Sequence, residues 1–139
     1  MPVYRTASEA ETIALGARLA RELPLKGVIL LIGDLGAGKT TLAKGIASGL
    51  GAAAEEEVSS PTFTLIHEYG GGRVRHVDLY RLDDPRQVAN LGLDDLIEDA
   101  LVLIEWGERF PQLMPARRTE IGIRALEGDE RVIEVIERS

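Results

Sequence analysis

The sequence predicts an α/β fold in which a mixed sheet, parallel at its centre and extended by antiparallel hairpins, is flanked by helices. Two continuous apolar runs, 28–32 and 100–104, are typical of strands that are buried on both faces, as parallel strands are. Alternating segments within 63–79 and within 120–137 are interrupted by glycine-containing turns, which predicts two β-hairpins. With 139 residues, we expect a single domain over 1–139.

The first helix is predicted by its start signal. Ser8 and Glu11 have the spacing of a capping box, in which a serine side chain and a glutamate three residues later satisfy free backbone N–H groups. Apolar residues then recur with roughly helical spacing until Pro24, which ends the pattern. The preceding residues, 3–4, are expected to form a short edge strand.

The other helices are predicted by periodicity and by glycine. A second helix is expected over 41–50, where Gly49 or Gly51 can terminate it. One or two short helices are expected within 85–99, with a break at Gly92.

Composition excludes several classes of function. The 16 Lys and Arg against 23 Asp and Glu leave a net charge of −7, which argues against a broad nucleic-acid-binding surface. No cysteine is present, so disulfides and thiolate sites are excluded, and two histidines, His67 and His76, are a weak metal signal. Because no apolar run approaches membrane-spanning length and no signal peptide is evident, we expect a cytoplasmic protein without a membrane partner.

The strongest functional signal lies between the first apolar run and the second helix. Residues 33–40 read GDLGAGKT and match G-x-x-x-x-G-K-[ST], the phosphate-binding loop or P-loop, in the strand-to-helix context that it requires. Gly36 and Gly38 allow the backbone to curl so that successive N–H groups face phosphate oxygens. Lys39 is expected to reach the β- and γ-phosphates, and the Thr40 hydroxyl to face Mg²⁺. The residues predicted to bind nucleotide here are Gly36, Ala37, Gly38, Lys39, Thr40 and Thr41.

Hydrolysis also requires a metal-side acid and an oriented water, and two acidic residues follow predicted strands. Glu105 ends an apolar strand and is a candidate metal-side acid, although it could be a simple strand-end charge. Asp78 could contact Mg²⁺ through water or position the attacking water; alternatively it is a turn residue or a partner of Arg81. Thr62 could sense the γ-phosphate, or its hydroxyl could simply begin a strand.

Four segments together resemble a known family. They are GDLGAGKTT at 33–41, SPTFTL at 60–65, HVDLYR at 76–81 and VLIEW at 102–106. Their order and spacing are similar to those of the TsaE (formerly YjeE) family, small bacterial P-loop ATPases of tRNA threonylcarbamoyladenosine synthesis. The resemblance extends over about residues 6–125.

The resemblance implies a function that composition and spacing do not. It implies an ATPase that uses ATP and Mg²⁺, is slow by itself, and acts with TsaD, a threonylcarbamoyl transferase, and TsaB, its scaffold paralogue. TsaD would modify N6 of adenosine 37 in tRNA, so that the ATPase meets tRNA only indirectly, through the complex.

The resemblance also assigns roles to individual residues. Thr40 and Glu105 match the Mg²⁺ positions of the family, Asp78 matches the acid of its HxDxYR motif, and Thr62 matches a switch-like threonine. The resulting catalytic set is Lys39, Thr62, Asp78 and Glu105. The adenine contacts of the family fall on segment 7–9, where the candidates are Ala7 and Glu9.

Three alternative functions use the same loop. A small kinase would need an acceptor pocket and a lid, for which the chain leaves little room. A GTPase switch usually carries N-K-x-D, which is absent from the sequence. A nucleotide-gated scaffold with negligible turnover stays open. Trp106 is interpreted as a packed anchor rather than a base-stacking residue, and a nucleotide contact from Arg131 is a further hypothesis.

Overall fold

The structure, a computed structural model, describes residues 2–24, 26–58 and 65–139. Strands β1 to β7 are Val3–Thr6, Gly27–Ile32, Ile66–Tyr69, Val74–Asp78, Leu101–Glu105, Arg118–Ala125 and Arg131–Arg138. Helices α1 to α4 are Glu9–Ala20, Lys39–Gly49, Pro85–Ala89 and Leu93–Leu96. Short 3₁₀ turns occur at Glu55–Glu57, Gly70–Gly72, Gly107–Arg109 and Pro111–Leu113.

The strands form one mixed sheet in the order β1-β7-β6-β2-β5-β4-β3. Its centre is parallel, because β2 pairs with both β5 and β6 in that sense and β5 pairs likewise with β4. The outer pairs, β1 with β7, β6 with β7, and β3 with β4, are antiparallel. The predicted mixed sheet is therefore confirmed, as are the edge strand β1 and both hairpins, although residues 63–64 of the first hairpin lie outside the described residues.

Alternation along the central strands produces a hydrophobic core on each face of the sheet. In β2, Ile29 and Leu31 pack against α1 and α2, whereas Val28 and Leu30 face the other side. Strand β5 alternates in the same way, and all five of its residues are buried. Burial of both faces explains why these two strands are continuous apolar runs in the sequence.

The helix boundaries follow from local chemistry. The Ser8 side chain accepts from the Glu11 N–H at 3.1 Å, but the Glu11 carboxylate reaches the N–H of Ala7 rather than that of Ser8. The predicted N-terminal cap of α1 is thus present, but the Glu11 carboxylate accepts from the residue before the N-cap instead of from the N-cap itself. Helix α2 begins at Lys39, two residues earlier than predicted, and its C-cap is Leu50. The predicted break at Gly92 separates α3 from α4.

The parallel centre brings the carboxyl ends of β2, β4 and β5 to the same edge of the sheet. The predicted phosphate loop follows β2, Asp78 ends β4 and Glu105 ends β5. Ligands of open α/β sheets bind at this edge, which is where the predicted site residues meet. Across residues 2–24, 26–58 and 65–139, none of the helices combines the length and apolarity needed to cross a membrane.

Candidate functional site

The phosphate loop has the backbone that its glycines permit. Gly36 and Gly38 have φ values of +80° and +112°, a region that residues with a Cβ rarely adopt. Gly38 is the N-cap of α2 and has no side chain to cap the helix, so the first N–H groups of α2 stay available to a ligand. At the start of the loop, a Cβ on Gly33 would lie 2.5 Å from the Ile123 carbonyl oxygen. The loop therefore presents donors and a helix N-terminus to one concavity.

Lys39 is held inside this concavity. Its Nζ donates to the Gly33 carbonyl at 2.8 Å and lies 3.4 Å from the centre of the Trp106 ring, a close cation–π contact. The residue is only 4% exposed. Burial lowers the pKa of Lys39, and the nearby carboxylates of Glu105 and Asp78, among others, oppose that shift. The site thus contains a buried cation among acidic groups.

Trp106 owes its position over Lys39 to an unusual backbone. Its φ is +69°, which is rare for a residue with a large side chain and carries strain. Its ring also packs against Tyr80, with ring centres 5.3 Å apart. The prediction of a packed anchor is correct as far as it goes, but the sequence did not indicate that the packing partner is the phosphate-loop lysine.

Glu105 is the centre of a buried polar cluster at the end of β5. Its Oε2 accepts from the Thr40 hydroxyl at 3.2 Å and contacts His76 Nε2 at 2.5 Å. Glu105 is 3% exposed and His76 is fully buried. Thr40 and Glu105, predicted as the metal pair from opposite parts of the chain, are thus in direct contact.

Asp78 lies beside Glu105 in the neighbouring strand. The two residues are partners in the parallel register of β4 and β5, and the Leu79 N–H donates to the Glu105 carbonyl. Asp78 is 2% exposed, and its Oδ1 accepts from the Tyr80 N–H at 2.8 Å. This bond has the form of an Asx turn. Asp78 is therefore a turn residue, as one of the alternatives from the sequence predicted, and it also lines the candidate site.

Glu108 is an acidic residue of the site that the sequence analysis missed. It lies in the 3₁₀ turn Gly107–Arg109, and its buried Oε1 has no hydrogen-bond partner in the described part of the chain. Burial raises the pKa of Glu108, and the positive charges of Lys39 and Arg109 offset part of that rise. Only its position three residues after Glu105 could have drawn attention to it.

A cleft of about 360 Å³ lies between the phosphate loop and the ends of β4 and β5. The predicted residues that line it are Gly36, Gly38, Lys39, Thr40, Thr41, Asp78 and Glu105. Leu35, Tyr80 and Trp106 complete the wall, and Leu35 and Tyr80 are exposed apolar residues at its rim. The structure thus brings together seven predicted residues from three separate segments of the chain.

A smaller cavity of about 100 Å³ adjoins the other side of the loop. Glu9 lines it together with Gly36, Gly38 and Thr41, so this predicted adenine contact does lie beside the loop. Ala7 lines neither cavity, and its N–H is bonded to the Glu11 carboxylate.

The remaining predicted residues lie elsewhere. Ala37 is buried and faces a third cavity, behind the loop, which Ile123 and Arg124 also line. Thr62 lies outside the described residues.

Arg131 joins the C-terminal hairpin to the phosphate loop. Its Nε donates to the Ala37 carbonyl at 2.7 Å, and its NH1 donates to the carbonyls of Gly128 and Glu130. Arg131 also lines the small cavity beside Glu9. The guanidinium therefore braces the loop, and its hypothesised contact with nucleotide stays a prediction.

The donor set suits a hard cation that is shared with phosphate. Considering residues 2–24, 26–58 and 65–139, no cluster of three or more His, Asp or Glu side chains could by itself hold a metal ion. Mg²⁺ does not need such a cluster, because it is commonly bound by one or two protein oxygens, several waters and substrate phosphates. The Thr40 hydroxyl and the Glu105 carboxylate, 3.2 Å apart beside the loop, have that chemistry.

Comparison with known proteins gives a consistent result. The family model described as "Threonylcarbamoyl adenosine biosynthesis protein TsaE" matches residues 6–133. The chain is 45% identical to the tRNA threonylcarbamoyladenosine biosynthesis protein TsaE of Nostoc sp., over 89% of this chain and 77% of the relative. It is 40% identical to the protein of that name from Bacillus subtilis, over 94% of this chain and 82% of the relative.

A solved structure agrees with these sequence relatives. The crystal structure of Bacillus subtilis YdiB superimposes with a TM-score of 0.75 at 34% identity and covers 99% of this chain and 84% of that one. Both the P-loop fold and the family predicted from the four sequence segments are therefore confirmed. The chain belongs to the TsaE family of threonylcarbamoyl adenosine biosynthesis proteins.

Proposed function

We propose that this protein is a Mg²⁺-dependent ATPase that serves the synthesis of threonylcarbamoyladenosine at position 37 of tRNA, acting with TsaB and TsaD in the cytoplasm. One observation carries the ATPase part of the proposal. The Lys39 ammonium, the Thr40 hydroxyl and the carboxylates of Asp78 and Glu105 line one cleft at the mouth of a P-loop. The names of the sequence relatives support the role in tRNA modification.

The loop and Lys39 would bind the phosphates. The main-chain N–H groups of Gly36 and of residues 38–41 would donate to phosphate oxygens, and the N-terminus of α2 favours their negative charge. The Ala37 N–H donates instead to the Asp34 carbonyl at 3.0 Å. Lys39 would exchange its bond to the Gly33 carbonyl for one to a terminal phosphate oxygen, and its positive charge is already desolvated.

The acidic residues would orient the remaining groups. Thr40 and Glu105 would hold Mg²⁺, which when bound neutralises charge on the β- and γ-phosphates. A hydroxyl has lone pairs as well as a proton, so Thr40 can face a cation while it still donates to Glu105. Asp78, one strand further along the same edge, would position the attacking water and accept its proton.

The decisive experiment measures phosphate release with and without TsaB and TsaD, together with the yield of modified tRNA. Lys39→Met is expected to abolish ATP binding. Asp78→Asn and Glu105→Gln are each expected to lower turnover by about 100-fold, because each removes an acid from the cleft. Asp94→Asn, the same chemical change at an exposed position of α4, is the matched control and should behave as wild type.

The outcomes separate the alternative functions. Nucleotide-dependent assembly with TsaB and TsaD in the absence of phosphate release would replace the ATPase by a nucleotide-gated scaffold. Transfer of the γ-phosphate to a small molecule would identify a kinase. Unchanged ATP binding by Lys39→Met would contradict the assignment of the site itself.

A further inference from the structure

His76 is a fully buried polar residue that the proposed chemistry does not use. Alternation along β4 and β5 puts His76, Asp78 and Glu105 on the same face of the sheet, the one that α1 and α2 cover. His76 Nε2 contacts Glu105 Oε2 at 2.5 Å, whereas Nδ1 is buried and bonds to none of the residues that the structure describes. Among the described residues the imidazole thus has one polar contact, which is with the predicted metal-side acid.

The direction of this hydrogen bond follows from its geometry. If Nε2 carried no proton, its lone pair would face a lone pair of the Glu105 carboxylate at 2.5 Å, which is repulsive. Nε2 is therefore the donor of this hydrogen bond, and the Glu105 carboxylate accepts it. A short bond of this kind, from a donor to a carboxylate, is among the stronger hydrogen bonds of proteins.

The consequence concerns the other carboxylate oxygen. Oε2 of Glu105 receives two donors, His76 Nε2 and the Thr40 hydroxyl. Oε1 receives no hydrogen bond from the described residues, and Glu105 lines the cleft beside Thr40. Two donors on one oxygen fix the rotation of the carboxylate and leave the other oxygen for a cation or its water.

We propose that His76 is the positioning residue of the site: it orients the Glu105 carboxylate so that one oxygen stays available to Mg²⁺. His76 acts through Glu105 and does not touch the nucleotide. The inference rests on the proposed function, because it assigns to Glu105 the metal role. Hydrogen-bonded partners of this kind commonly change metal affinity 10- to 100-fold when they are replaced.

The test uses three replacements of the imidazole on the full-length protein. His76→Gln can present an N–H at about the reach of Nε2, His76→Asn can reach only about as far as Nδ1, and His76→Leu has no donor. Calorimetry measures the affinity for ATP with Mg²⁺ and with EDTA. Mg²⁺ should raise the affinity of the wild-type protein for ATP, and the ratio of the two affinities is the Mg²⁺-dependent gain. We expect this gain to be smaller by about tenfold or more in His76→Leu and His76→Asn, whereas their ATP affinity in EDTA should stay within about twofold of wild type. His76→Gln should recover most of the gain.

Other results would overturn the inference. If His76→Leu keeps the full Mg²⁺-dependent gain, His76 does not position Glu105. If all three variants lose affinity equally with Mg²⁺ and with EDTA, in step with a lower melting temperature, the role of His76 is structural.

A second measurement needs no variant at position 76. The chain has two histidines, so His67→Gln leaves one imidazole, whose nitrogen shifts can be read by NMR. We expect a proton on Nε2 and a shift of that nitrogen in Glu105→Gln; an Nε2 that carries no proton would refute the inference. If Mg²⁺ does not raise the ATP affinity of the wild-type protein, the proposed function fails, and the metal role of His76 fails with it. The NMR result would still decide whether His76 orients Glu105.

Discussion

The substitution Gly45→Ala tests how closely α2 is packed against the rest of the fold. Helices α1 and α2 cross where Gly16 on α1 meets Gly45 on α2. A Cβ on Gly45 would lie 2.1 Å from the carbonyl oxygen of Ile13 and 3.0 Å from the Cα of Gly16. Both neighbours are backbone atoms, so no side-chain rotation can relieve the contact, and the helices must separate.

The magnitude follows from two opposing effects. Overpacking typically costs about 1–3 kcal/mol, and a backbone contact of 2.1 Å argues for the upper end. Alanine is about 1 kcal/mol better than glycine inside a helix, which offsets part of this cost. We therefore expect the free energy of unfolding to fall by about 2 kcal/mol. For a protein of this size that corresponds to a melting temperature lower by about 8 °C.

Urea and thermal denaturation, followed by circular dichroism, measure this loss. The matched control is Gly122→Ala in β6, where an added Cβ would meet nothing within 4 Å and φ is not positive. The control should be neutral or slightly stabilising. Because α2 begins at Lys39, we also expect Gly45→Ala to weaken ATP binding. If Gly45→Ala and Gly122→Ala were equally stable, the close helix crossing would not exist in solution.

Three further predictions concern charge. Burial alone would raise the pKa of Glu120, but hydrogen bonds from Arg138 and Arg118 outweigh it and lower that pKa below the ordinary 4.5. Glu120→Gln should therefore destabilise the protein by about 1–2 kcal/mol at pH 7, and its difference from wild type in urea denaturation should vanish as the pH falls through the folded-state pKa. Burial lowers the pKa of Lys39 from 10.5, so its charged form is disfavoured in the folded state. Lys39→Met should thus be more stable than wild type at pH 7, with the difference in melting temperature shrinking as the pH rises towards 10.5; a constant difference would contradict a buried charge. Finally, because its net charge is −7, the isolated protein should bind tRNA weakly at physiological salt. Tight tRNA binding by the isolated protein in fluorescence polarisation would contradict the proposal that it meets tRNA only through the complex.

Much of the fold could be predicted because its signals are local. The run 28–32 is apolar at every position because both faces of β2 are covered, and the same holds for β5. The capping residues of α1 are neighbours in sequence, so their chemistry is readable without a tertiary structure. The start of α2 was predicted two residues late because its N-cap, Gly38, carries no capping side chain that would mark the boundary.

The site was predictable where one segment supplies all the atoms. The phosphate loop is such a segment, since the groups proposed to bind phosphate are main-chain N–H groups of neighbouring residues. The contact of Lys39 with Trp106 was not, because it depends on a backbone conformation at Trp106 that a tryptophan seldom adopts. The position of Glu108 Oε1, which bonds to none of the residues that the structure describes, likewise depends on how the turn after β5 packs.

The sequence by itself determined which groups this protein offers: a P-loop motif, a threonine and two acids at the ends of predicted strands, and the family that they indicate. Tertiary structure alone decided which of these groups touch. Thr40 meets Glu105 across 65 residues of chain, and Arg131 reaches the Ala37 carbonyl across 94. His76 faces Glu105 only because β4 and β5 are parallel neighbours in one particular register. Motifs can be recognised from neighbouring residues in the sequence. Contacts between distant residues depend on strand order, register and helix packing, and these are determined by the whole chain.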